Sequence, residues 1–102
     1  GVPDLLICDE FGVFHFVELK FLTSNGVSLQ PSQVAWLSRH QHSPSWILIK
    51  KQNKPTDEPE MFLYPASAAV DLKMDGLQSV EPLHHQKGKF NWDMLFDLIC
   101  PT

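Results

Sequence analysis

Residues 1–21 read GVPDLLICDEFGVFHFVELKF, and the rest of the chain takes its meaning from how this stretch folds. Residues 4–9, DLLICD, form a short, mostly apolar run that reads as a strand buried on both faces. Residues 13–21, VFHFVELKF, are rich in aromatic and β-branched side chains and read as a second strand. Both of its faces are largely apolar, so it is expected inside a sheet covered on both sides. If Glu10, Phe11 and Gly12 form a three-residue hairpin loop with Gly12 in the left-handed region, Asp9 faces Val13 and paired residue numbers sum to 22. Asp4 then lies directly opposite Glu18 on the same face, with Cβ atoms about 5 Å apart. A two-residue loop would instead set Asp4 against Val17 and turn it away. Opposed like charges are destabilising unless something positive sits between them. Lys20 shares that face, roughly 7 Å further along the strand. An acid at the head of one strand, with an acid and a lysine on its partner, can hold a hard metal ion and a water.

Working outward, Thr23–Gly26 is turn chemistry, and Pro31 suits the first position of a helix spanning Pro31–His42, with Gln30 or Ser28 near the cap. Ser45–Lys50 reads as a third strand, and a strand–helix–strand link makes it parallel to the second. Residues 52–60 are a proline-containing loop, Met61–Tyr64 a short edge strand, Ala66–Lys73 a short helix, and Asp75–Gly88 irregular and exposed. Phe90–Ile99 has apolar residues at 92, 95, 96 and 99, the spacing of an amphipathic helix capped by Asn91. The whole is one α/β domain over residues 1–102, too short for two cores.

The net charge is −4, which argues against an anionic partner until its distribution is considered. Residues 1–18 carry four acids and no Lys or Arg, whereas Leu19–Thr56 carry five Lys/Arg and no acid. A window of this kind can present a basic face on an acidic protein. The two cysteines, Cys8 and Cys100, lie at opposite ends and lack metal-ligand spacing; a free Cys8 in an apolar strand behaves as a small hydrophobe, and the chain reads as intracellular. No apolar run approaches the roughly 20 residues of a membrane span. His40-x-His42 and His84-His85 have no Cys or HExxH context that would support zinc, and no GxSxG elbow supports a serine nucleophile.

Pro3-Asp4, then Glu18-Leu19-Lys20, then Gln33 ahead of Trp36-Leu37 resemble the PD-(D/E)xK nuclease superfamily, in particular the branch of virus-type replication-repair nucleases (VRR-NUC) and Holliday junction resolvase-like proteins. The resemblance covers roughly Gly1–Lys50. It implies a restriction-endonuclease-like mixed sheet flanked by helices, with the family's N-terminal helix missing from this stretch, as in a truncated chain or one completed by a partner subunit. It also implies a Mg²⁺- or Mn²⁺-dependent DNA endonuclease, structure-selective in replication or repair. On that reading Asp4, Glu18, Lys20 and Gln33 are catalytic, and Asp4, Glu18 and the Leu19 carbonyl hold the metal. Arg39, Lys50, Lys51 and Lys54 are the candidates for DNA phosphates, and a homodimer matches a two-fold junction. The bland alternatives are a surface ion pair between Lys20 and Glu18, worth about 0–1 kcal/mol, a helix-surface amide at Gln33, solvated lysines, and core packing for Trp36 and Trp92. A catalytically silent nucleic-acid-binding or assembly module is the competing function.

Overall fold

The computed structural model describes residues 2–89 and 91–99. A five-stranded mixed sheet runs in the order β1-β2-β3-β4-β5, with β1 Leu5–Cys8, β2 Phe14–Leu22, β3 Ser45–Lys51, β4 Glu60–Pro65 and β5 His84–Lys87. Only β2 and β3 are parallel; the other neighbours are antiparallel. Helix α1 (Pro31–Arg39) makes the crossover from β2 to β3, α2 (Ala69–Asp75) follows β4, and α3 (Trp92–Ile99) closes the described chain.

The side chains sort into two core clusters, one on each face of the single sheet, where one core was expected. On one face Leu22, Ile47, Ile49 and Tyr64 pack with Leu37 of α1 and Leu72 of α2. On the other, Val17, Leu48, Met61 and Leu63 pack with Leu95 and Ile99 of α3. Alternation along a strand produces this division: even positions of β2 face α1, odd positions face α3.

The first hairpin has the expected register. Leu5 faces Val17, Leu6 faces Phe16, Ile7 faces His15 and Cys8 faces Phe14. Asp9 makes the turn: its carbonyl accepts Gly12 N at 3.1 Å, its N–H reaches Val13 O at 2.9 Å, and its Oδ1 accepts Phe11 N and Val13 N, both at 2.9 Å. Gly12 has φ +77°, the left-handed residue such a loop requires. His15 Nε2 lies 3.0 Å from Asp9 Oδ2, while its Nδ1 accepts Trp46 Nε1 at 3.3 Å. The proton therefore sits on Nε2, and the hairpin is tied to β3. The hydrogen bonds to His15 and to the turn amides hold the Asp9 carboxyl below its usual range.

Several expectations need correction. β1 is not buried on both faces: it is the sheet edge, and Leu6 and Cys8 are exposed while Leu5 and Ile7 pack toward α3. Cys8 is thus not a core residue. β4 is not an edge strand, because β5 pairs with it along Leu63↔His84 to Glu60↔Lys87. His84–Lys87, expected to be irregular, has no apolar alternation because it is itself an edge, where polar side chains are favoured. α1 stops at Arg39, short of His42, where His40 caps it through Trp36 O. The Ala66–Lys73 segment begins as a 3-10 turn over Ala66–Ala68 before α2 takes over. Trp92 is 49% exposed and not core, whereas Trp36 packs between Phe16 and His40 as expected. Phe90 and Cys100, named in the expectations above, lie outside the described residues.

Candidate functional site

The site lies where the first hairpin ends. The pairing of β1 with β2 stops at Leu5 opposite Val17, and Asp4 follows just outside the strand. Its Oδ2 accepts the Leu19 N–H at 2.9 Å, which brings its carboxyl to that of Glu18.

Glu18 is only 1% exposed. Its Oε1 accepts Gln33 Nε2 at 2.5 Å and lies 3.8 Å from Lys20 Nζ; its Oε2 is buried without a hydrogen-bond partner. Burial first, and then the neighbouring Asp4 carboxyl, push its pKa up to about 7, against a smaller opposing pull from Lys20. Lys20 Nζ donates to Gln33 Oε1 at 3.0 Å, and the same oxygen accepts Gln30 N at 2.9 Å. With two donors on its oxygen, the orientation of the Gln33 amide is unambiguous, and its NH₂ must face Glu18.

That arrangement comes from helix capping. Pro31 starts α1, Gln30 is its N-cap, and Gln33 is the N3 residue whose side chain folds back to the cap amide. The side chain that closes the helix end is therefore the one that locks Lys20 to Glu18.

Asp4, Glu18, Lys20 and Gln33 thus converge. The other sequence candidates do not join them. Arg39 is exposed at the opposite end of α1, six residues or about 9 Å along its axis from Gln33. Lys50 is exposed on β3, and its partner Phe21 puts it on the α3 face. Lys51 is spent structurally, donating to Asn25 Oδ1 at 2.5 Å. Lys54 is exposed in the loop after β3.

A divalent cation fits the residues present. Two carboxyl groups, Asp4 and Glu18, act on one another, and Glu18 Oε2 is buried without a hydrogen-bond partner. A hard cation favours such oxygens and would relieve the repulsion that raises Glu18. Among the described residues no group of three or more His, Cys, Asp or Glu side chains forms, so this would be a lean site of two carboxylates. No described helix is long and apolar enough to cross a membrane.

Phe21, 75% exposed, and Trp92, 49% exposed, border an apolar cavity of about 420 Å³ that is also lined by Leu19 and Lys20. No family model, no curated protein and no solved structure matches the chain.

Proposed function

We propose that this chain is a Mg²⁺- or Mn²⁺-dependent endodeoxyribonuclease of restriction-endonuclease-like fold, structure-selective for branched DNA. The observation that carries the reading is the convergence of Gln33, from the start of α1, with Asp4, Glu18 and Lys20 of the first hairpin, with Lys20 and Glu18 joined through the Gln33 amide. Asp4, Glu18 and the Leu19 carbonyl are the oxygens that would hold the metal. Bound there, such an ion polarises a phosphate and lowers the pKa of an attacking water.

The chain's own groups do the rest. Lys20 keeps its ammonium within reach of Glu18 and of any phosphate oxygen beside it, where it offsets negative charge and orients a water. Glu18, raised to about 7 without metal, must give up its proton to hold a metal ion, so metal binding is linked to proton release. Gln33 prevents Lys20 from collapsing onto Glu18, taking the shorter contact itself. Exposed Arg39, Lys50 and Lys54 supply salt-dependent contacts to the DNA backbone. A homodimer belongs to this reading, and the open edge of β1 with exposed Leu6 and Phe14 suits it; light scattering that finds only monomer at micromolar concentration argues against it.

The lean set of two carboxylates favours a second reading, a catalytically silent module that binds nucleic acid. Incubation with labelled duplex, flap and four-way junction DNA in Mg²⁺, Mn²⁺ or EDTA separates the two. Metal-dependent cutting supports the nuclease; binding without cutting in any metal supports the silent module.

A further inference from the structure

The tip of the first hairpin carries an apolar ring that the core does not use. Phe11 is 69% exposed, yet the turn that presents it is firmly held. Asp9 Oδ1 accepts the amides of Phe11 and Val13, Asp9 Oδ2 meets His15 Nε2, and Gly12 supplies the left-handed backbone. An aromatic side chain on a pre-organised turn needs little further ordering to bind, which is the character of an interface anchor.

Phe11 borders a groove of about 350 Å³ between the hairpin and α3. Its apolar lining includes Ile7, Phe11 and Phe96, the last 39% exposed on α3. Its rim is acidic: Asp9, Glu10 and Asp97 line it, and among the described residues no Lys, Arg or His does. Asp9 is committed to the turn and to His15, but the side chains of Glu10 and Asp97 make no hydrogen bond or ion pair among the described residues. The surroundings extend the negative field, since residues 1–18 hold four acids and no Lys or Arg, and α3 adds Asp93 with no basic residue.

Apolar lining and charge together select the occupant. Nucleic acid and anionic lipid are repelled by the carboxylates, and a purely polar cation gains nothing from Ile7, Phe11 and Phe96. Arginine beside an apolar side chain suits both halves, because a guanidinium forks onto a carboxylate or lies on an aromatic ring while its neighbour fills the apolar floor. The turn is also remote from the candidate site. Asp9 is five residues, or about 17 Å, along the strand from Asp4, and the groove is on the α3 side of the sheet, away from Gln33. A partner seated there leaves Asp4, Glu18 and Lys20 open.

We infer that the groove between the first hairpin and α3 docks an extended segment of a partner protein in which arginines adjoin apolar side chains, with Phe11 as the anchor and Glu10 and Asp97 as the charge partners. This goes beyond the nuclease reading and does not depend on it, because the same groove serves an enzyme or a silent module.

The test is fluorescence anisotropy at physiological ionic strength, with the whole chain and three short labelled peptides of alternating Arg-Leu, Arg-Ser and Glu-Leu. The proteins are wild type, Phe11→Ser, Asp97→Lys and Asp71→Lys. All three positions are exposed, and far-UV circular dichroism checks the fold. Asp71 lies on α2, so Asp71→Lys changes the net charge as much as Asp97→Lys does without touching the groove. Wild type should bind the Arg-Leu peptide saturably and prefer it to both others. Phe11→Ser and Asp97→Lys should each weaken that binding roughly 5- to 30-fold. Asp71→Lys should change it by less than about 2-fold, since salt screens a distant surface charge. No saturable binding, equal binding of the Arg-Ser or Glu-Leu peptide, an unaffected Phe11→Ser, or equal losses in Asp71→Lys and Asp97→Lys each overturn the inference. So does light scattering in which Phe11→Ser turns a dimer into a monomer, because a second copy then fills the groove.

Discussion

Gln33 Nε2 donates to Glu18 Oε1 at 2.5 Å while Gln33 Oε1 accepts both Lys20 Nζ and the amide of Gln30. A helix cap and a candidate catalytic centre therefore share one amide. Gln33→Ala removes the cap contact and strips a buried carboxylate of its donor at once. The expected cost is about 1–2 kcal/mol of stability, read by urea unfolding. Cleavage should fall roughly 10- to 100-fold, the usual effect of losing a group that orients the residues around a metal. Unchanged stability would mean that Gln33 is an ordinary surface amide.

Glu18 sets a pH dependence. Its pKa rises from 4.5 unfolded to about 7 folded, so the folded state binds the extra proton between those values. The stabilising contribution is complete below about pH 4.5 and is lost as pH rises through 7. Without metal, stability should fall over that window by an amount on the order of 2–3 kcal/mol. Glu18→Gln should flatten the profile, and Mn²⁺ should restore stability at pH 8 in wild type but not in Glu18→Gln. A metal-free profile that is flat in wild type contradicts the raising of the Glu18 pKa by burial and by Asp4.

Two glycines share φ +77° and differ in surroundings. A Cβ at Gly12 meets nothing within 4 Å, so Gly12→Ala carries only the left-handed backbone cost of about 1–2 kcal/mol. At Gly76 a Cβ would lie 2.5 Å from the Asn25 carbonyl oxygen, in the turn where Leu77 N bonds that same oxygen at 2.9 Å. Gly76→Ala must displace that backbone and should cost clearly more than Gly12→Ala in parallel thermal melts. Equal costs would mean that the turn around Asn25 yields freely.

The hairpin and its consequences were legible because local rules converge there: a three-residue loop ending in glycine fixes the register, and the register fixes which acids meet. Gln33 was legible only through the resemblance; its place as the N3 residue and its link to the cap amide appear in the folded helix. β5 was not legible, since HHQK is an edge strand that owes its pairing to β4 and not to its own composition. That same omission made β4 look like an edge. β1 misled in the opposite direction: its apolar run suggested two buried faces, but only Leu5 and Ile7 pack on a core, and Leu6 and Cys8 on the other face are exposed. Lys51 and Lys54 looked equivalent in the basic window, and only the fold distinguishes the one bonded to Asn25. The cavity at Phe21 and Trp92 joins residues 71 positions apart, a separation no periodicity reports.

The proposal that Asp4, Glu18 and Lys20 together cut phosphodiesters with a metal is tested most directly by the single-turnover cleavage rate of flap or four-way junction DNA in Mn²⁺, for wild type beside Asp4→Ala and Lys20→Ala. Wild type should cut only with metal, and each variant should lose at least about 100-fold. Cutting that survives either substitution, or that continues in EDTA, contradicts it.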